Sequence, residues 1–238
     1  MNLLKSIYLL ADSQTLFWKN DGVPFIETIR NSIEKDDLRA AYIGASNNDN
    51  PDYYEIFKSA MNLIGINDCR MIPSTPSEED AAYLDQSDII LLAGGDVETG
   101  WRVFEETGLK ERIAKRYFEG ATLIGVSVGA VQLGWCGWSE DVPTSPESII
   151  DTFKLVPFVI STHDEDRDWE PLIMALRLLE GRVHGIGIPT GSGIIFHSDR
   201  SIQPFRYAPH EFTFRDNQII HNILLPDISW EFVESNGE

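Results

Sequence analysis

The chain has 238 residues, 42% hydrophobic and 24% charged, with 19 Lys and Arg against 38 Asp and Glu for a formal net charge of -19. That length buries a full core, as one large domain or two small ones, and excludes a disulfide-stapled miniprotein or a disordered chain. The shortage of positive charge opposes counterion-release binding to phosphate backbones, so nucleic acid and anionic membranes are excluded as partners.

At the N-terminus the apolar run Ile7–Ala11 ends at Asp12. It is too short for a signal-peptide core and far short of the roughly 20 apolar residues of a membrane span, so a soluble, cytoplasmic protein is expected. The two cysteines, Cys69 and Cys136, lack CxxC spacing. They fit a reducing compartment and exclude a zinc ribbon or a thioredoxin-type pair.

The first half alternates short apolar runs with segments of helical period, the pattern of βα units around a parallel sheet. Strands are predicted at Ser6–Ala11, Ala40–Ala45, Ile89–Ala93 and Thr122–Val126. Phe25, Ile26, Ile29 and Ile33 form the apolar stripe of a helix starting near Pro24. A second helix is predicted over Tyr53–Leu63. A third runs over Glu98–Phe118 with a break at Gly108, since glycine costs about 1 kcal/mol inside a helix. The second half reads as a loop at Asp141–Glu147, a strand at Val156–Ser161 and a helix at Trp169–Leu179. Short β-runs follow at Gly185–Ile188, Gly193–His197, Ile202–Tyr207 and Glu211–Arg215, spaced like hairpins rather than crossovers. Glu234–Glu238 reads as a polar tail. No repeat or Gly/Ser linker divides the chain, which favours one domain.

The sharpest motif is Gly125-Val126-Ser127-Val128-Gly129, preceded by the apolar run Ala121–Ile124 and followed by Ala130–Leu133. GxSxG between strand and helix makes a nucleophile elbow, in which the glycines permit the tight turn that lifts the serine hydroxyl above the sheet edge. The bland alternative is a Gly-rich turn with a serine helix cap. A second motif, Leu91–Ala93 followed by Gly94-Gly95-Asp96, ends a strand in two glycines whose N–H groups can approach an oxyanion, with Asp96 a substrate-side group or a helix cap. Walker-loop and GxGxxG patterns are absent, which removes nucleotide-binding readings.

A serine nucleophile needs a base. Of His163, His184, His197, His210 and His221, His163 stands out because it follows a strand at its C-terminal end, where open α/β sheets place their sites. The other four read as structural histidines. The run His163 to Asp166 reads as a solvated acidic loop rather than a metal site, because consecutive residues point in different directions. No metal or other cofactor is expected. Trp135, Cys136 and Trp138 read first as buried groups and second as a pocket wall.

As a constellation, the GGD turn, the GVSVGA elbow, His163 after a strand and the segment Gly185-Ile186-Gly187-Ile188-Pro189-Thr190 resemble the dipeptidase E and cyanophycinase family of serine peptidases, within the class I glutamine amidotransferase-like superfamily. The likeness runs from about Ala40 to Arg200. It implies a single domain over 1–238, an α/β/α sandwich around a mostly parallel sheet with a β-rich C-terminal part, and metal-independent cleavage of aspartyl or β-aspartyl peptides. It also implies Ser127 as nucleophile, His163 as base, and Gly95 and Val128 as oxyanion-hole N–H donors beside Gly94.

Two positions depart from the family pattern. Val128 replaces a small residue and is expected to narrow the pocket. Thr190 stands where the family carries an acidic residue, and a catalytic histidine without its carboxylate loses about 10⁴ in rate in a well-studied triad. Asp141 is the candidate replacement, with Glu140 and Asp164 as alternatives, and Arg102 or Arg167 are candidate cations for an acidic substrate.

The leading reading is therefore a serine hydrolase acting on a small peptide or amide. Against it stands a pseudo-peptidase that binds a ligand or partner, motivated by Thr190. An ordinary α/β-hydrolase esterase would instead need His210 or His221. A glutamine amidotransferase proper is the least favoured, since its elbow carries cysteine. A homodimer is the oligomeric state left open.

Overall fold

In a computed structural model that describes residues 4–139 and 141–226, β1 (Ile7–Leu10) leads into a small ribbon, β2 (Lys19–Asn20) and β3 (Val23–Pro24), and then α1 (Glu27–Asn31). There follow β4 (Arg39–Ile43), α2 (Pro51–Leu63), β5 (Asp68–Ile72), α3 (Glu78–Leu84), β6 (Ile89–Leu92), α4 (Val97–Thr107), α5 (Leu109–Phe118), β7 (Thr122–Val126) and α6 (Val128–Leu133). The second half comprises β8 (Cys136–Trp138), β9 (Ile149–Asp151), β10 (Phe158–Thr162), α7 (Glu170–Leu178), β11 (His184–Ile188), β12 (Gly193–Phe196), β13 (Ile202–Phe205), β14 (His210–Arg215) and β15 (Gln218–Ile223). The expected tail and Glu140 lie outside the described residues.

The main sheet has the order β13-β12-β1-β7-β6-β4-β5. Its five strands from β1 to β5 are mutually parallel, and β12 and β13 add antiparallel at one edge. Because side chains alternate across a strand, each strand feeds two cores. Tyr8, Leu10, Tyr42, Leu91 and Val126 pack toward α1 and α2. Ile7, Leu9, Ile43, Leu92 and Leu123 pack toward α4, α5 and α6. This is the expected sandwich around a mostly parallel sheet.

A second sheet, β10-β11-β14-β15, shares the latter core through Phe158, Ile160, Ile186 and Ile188. Its opposite face, with Val159 and Phe212, packs on Leu172 and Leu176 of α7. It brings the end of β10 beside the end of β7, which is what assembles the site.

Several local expectations need correction. The stripe from Phe25 to Ile33 forms only the short α1, because Pro24 belongs to the ribbon, where Phe25 N–H donates to the Trp18 carbonyl at 2.8 Å and the Phe25 ring stacks on Phe205 at 4.0 Å. Strand β5 and helix α3 carry no strong apolar pattern: β5 is an edge strand bearing Asp68 and Arg70, and α3 starts from a capping box between Ser77 and Asp80. The break at Gly108 is real, with φ +72 between α4 and α5. The β-runs at the end are not all hairpins. β11 pairs parallel to β10 after the α7 crossover, whereas β12 and β13, and β14 and β15, are hairpins. No helix among the described residues is long and apolar enough to cross a membrane.

Candidate active site

β7 is buried along its whole length and leads directly into Ser127, whose backbone sits at φ 51 and ψ -118. A non-glycine residue in so sparsely populated a conformation stores about 1–3 kcal/mol of strain, so its surroundings must over-determine it. They do: Ser127 N–H donates to the Leu10 carbonyl at 2.8 Å, and the Ser127 carbonyl accepts from Ala130 at 2.8 Å. A Cβ on Gly129 would lie 2.0 Å from the Leu92 carbonyl oxygen, and one on Gly125 would lie 2.6 Å from Ala130. Both glycines of the elbow are therefore required by close backbone approach.

The Ser127 Oγ and His163 Nε2 lie 2.9 Å apart. With an unprotonated Nε2 the serine hydroxyl donates to it, the geometry by which a histidine accepts a nucleophile's proton. His163 is held in a left-handed turn at φ 48, its N–H bonded to the Ile188 carbonyl at 3.0 Å. The remaining histidines stay away from Ser127. His210 Nδ1 and His221 Nε2 pair at 2.9 Å, His197 contacts Ser6 and Gln203, and His184 faces Glu211.

Gly94 runs directly beneath the serine, where an added Cβ would sit 3.0 Å from Ser127 Cβ. Gly95, at φ +143, has no room for a side chain at all, because a Cβ would come 1.9 Å from the Ser46 carbonyl oxygen. Asn47 fixes this turn by donating to the Gly94 carbonyl at 3.1 Å. Behind it Gln132, fully buried, donates to Ser46 Oγ at 3.1 Å. Among the described residues, the N–H groups of Gly95 and Val128 donate to no protein acceptor, as an oxyanion hole requires.

Three sequence expectations are corrected here, and of the two readings of Asp96 the helix cap holds. Asp141 is an exposed residue that grips both terminal nitrogens of Arg167, at 2.7 and 3.0 Å, and does not face His163. Asp164 is turned onto the Ser161 hydroxyl. Asp96 caps α4 through the Thr99 N–H at 2.7 Å and does not line the pocket. The Val128 side chain packs against the core on the α4 side and does not narrow the pocket.

One carboxylate was missed. Glu165 Oε1 accepts the Thr190 N–H at 3.0 Å, and Oε2 is buried without a hydrogen-bond partner among the described residues. Partial burial pushes this carboxyl up, but its contacts with Thr190, its own N–H and the charge of His163 together hold it below the usual carboxylate range. Glu165 also attracts the His210 imidazole, whose pKa is nonetheless lowered, by burial first and by His221 second. Its adjacency to His163 and the neutral Thr190 was the only signal in the sequence. No group of three or more His, Cys, Asp or Glu among the described residues is arranged to hold a metal ion.

A pocket of about 270 Å³ opens beside Ser127, lined by Ala11, Gly94, Gly95 and the exposed His163 and by the buried Leu16, Tyr42, Phe57 and Leu91. Neither Arg102 nor Arg167 lines it. Burial raises the Tyr42 phenol to about 12, helped by Asp49 and opposed by Asn47, so it stays neutral.

Comparison with known proteins agrees with this architecture. The profile of peptidase family S51 matches residues 8–203. The chain is 21% identical to the uncharacterized peptidase YgaJ of Bacillus subtilis (strain 168) over 193 residues, 77% of this chain and 80% of that protein. A peptidase from an acI-B1 Actinobacterium superposes with a TM-score of 0.67 at 16% identity, covering 91% of this chain and 94% of that one. A candidate peptidase E protein from Listeria monocytogenes EGD-e gives 0.63 at 16% identity, covering 85% and 98%.

Proposed function

The chain belongs to peptidase family S51, and from that premise we propose that it is a serine peptidase cleaving small peptide or amide bonds without a metal. The observation that carries this is the 2.9 Å contact between Ser127 Oγ and His163 Nε2 on a strained elbow. Ser127 attacks the scissile carbonyl while His163 takes its proton. The resulting oxyanion receives the N–H groups of Gly95 and Val128, which have no other acceptor among the described residues. Collapse of the tetrahedral intermediate breaks the C–N bond, and His163 returns the proton to the departing amine. Water then repeats the sequence on the acyl-enzyme, with His163 as base.

Glu165 is the carboxylate that steadies His163 in this reading. It is an anion at neutral pH, partly buried, and electrostatically coupled to the imidazole.

The experiment is labelling with a fluorophosphonate. Attachment at Ser127 in the wild type, lost in Ser127→Ala and in His163→Ala, supports the peptidase. A second reading, a binding module on the same fold, is favoured by the absence among the described residues of a hydrogen bond to His163 Nδ1. Failure of Ser127 to label would establish that reading in its place.

A further inference from the structure

Resting on the peptidase reading, we propose that the pocket beside Ser127 takes a neutral, apolar side chain, aliphatic or aromatic, from the residue that supplies the scissile carbonyl. The pocket begins at Gly94, Gly95 and Ser127, where the carbonyl and its oxyanion must lie, and runs from there between the sheet and α2. Its apolar lining includes Leu16, Tyr42, Ile56, Phe57, Leu91 and Val126. At about 270 Å³ it exceeds the roughly 150 Å³ of an apolar cavity that holds benzene, so an isobutyl or benzyl group fits.

An acidic side chain has no counterpart here. No lysine or arginine lines the pocket. The two cations nearest in sequence to the elbow and the base are elsewhere: Arg167 is held by Asp141, and Arg102 faces a separate cleft with Glu98, Glu105 and Glu106. The carboxylate that lines it is Asp12, and behind the lining Asp49 lies close enough to act on the Tyr42 phenol.

A cationic side chain is not provided for either. Asp12 Oδ1 already accepts from Gln14 and Thr15, and Oδ2 accepts from Gly191 N–H. Asn47 is similarly engaged with Tyr42, Gly94 and Asn50. With Asp12 and Asn47 so engaged and its buried lining aliphatic and aromatic, the pocket selects by apolar contact, and a carboxylate entering it would be desolvated without a cationic partner.

The test measures labelling rates at Ser127 with diphenyl aminoalkylphosphonates that differ only in side chain: those of leucine, phenylalanine, aspartate and lysine. The Leu or Phe probe should react at least about a hundredfold faster than the Asp probe and faster than the Lys probe. In Ile56→Arg, and in Tyr53→Arg at the exposed rim, the ratio of Asp to Leu rates should rise at least tenfold, about the effect of one favourable charge pair. Circular dichroism and urea denaturation of each variant serve as the folding control. An Asp or Lys probe as fast as the apolar ones, or a ratio unmoved in both correctly folded variants, overturns the assignment while leaving the peptidase intact. A wild type that no fluorophosphonate labels overturns the peptidase reading itself.

Discussion

Glu165 and Thr190 meet beside the base: the Glu165 carboxylate, in the loop after His163, accepts the Thr190 N–H at 3.0 Å. The carboxylate is supplied by the loop that bears the base, two residues after it, and not by the end of β11. Glu165→Gln should lower the labelling rate about 10²-fold, less than the ~10⁴ for a directly bonded triad acid. Glu165→Gln with Thr190→Glu should recover most of the loss. Because the Glu165 carboxyl lies below its ordinary value, its contribution is present above that ordinary value and disappears as pH falls through the lower native one. The gap between wild type and Glu165→Gln should therefore be fully present at about pH 8, well above the carboxylate range. Equal labelling rates for the two proteins at that pH would remove Glu165 from the site.

Asp141 offers the opposite test. Its side chain is 84% exposed and its partner is Arg167, so solvent screens the pair and no reacting group depends on it. Asp141→Asn should keep the Ser127 labelling rate within about threefold of wild type. A hundredfold loss would reinstate it as the residue that orients His163.

What could be read in the sequence divides along physical lines. The strand into Ser127 and the strand before Gly94 are buried on both faces, and their continuous apolar runs declare them. The glycines of the elbow were legible because backbone approach of 2.0 Å to a would-be Cβ tolerates nothing else. Edge strand β5, half exposed and carrying charge, has no such run. The roles of Asp141 and Glu165 were hidden for another reason. A carboxylate's partner depends on loop geometry, here three left-handed residues, His163, Asp168 and Trp169, that turn Glu165 inward while Arg167 faces Asp141. The parallel pairing of β11 with β10 was carried by the strand, helix and strand expected at Val156–Ser161, Trp169–Leu179 and Gly185–Ile188, and the hairpin-like spacing of the later runs obscured it.

Gly95 should tolerate no replacement. At φ +143 and with a Cβ forced to 1.9 Å from the Ser46 carbonyl, Gly95→Ala must displace the turn that carries the proposed oxyanion donor. The expected loss is about 10²–10³ in rate, together with roughly 1–3 kcal/mol of stability from backbone strain. Gly22→Ala is the matched control: it too sits at positive φ, but its Cβ meets nothing within 4 Å. It should cost stability alone, measured by urea denaturation, with labelling of Ser127 unchanged. Equal rate losses in both variants would mean that Gly95 acts through global stability.

The two thiols distinguish serine from cysteine chemistry. Burial raises Cys136 to about 12, with Asp151 adding to the effect and Lys154 opposing it, and burial with Asp68 raises Cys69 to about 11 against Lys58. Both shifts disfavour the thiolate, the form that attacks an alkylating agent, so at pH 8 each thiol presents about 10⁻³ or less of its reactive form. Iodoacetamide should therefore modify the native protein at least about a hundredfold more slowly than a free thiol, with the rate climbing as pH rises toward those values. Once alkylation is forced at high pH at the half-buried Cys69, fluorophosphonate labelling after return to pH 8 should persist. Rapid alkylation at pH 8 that also abolished labelling would place a thiol at the reacting centre and remove Ser127 from it.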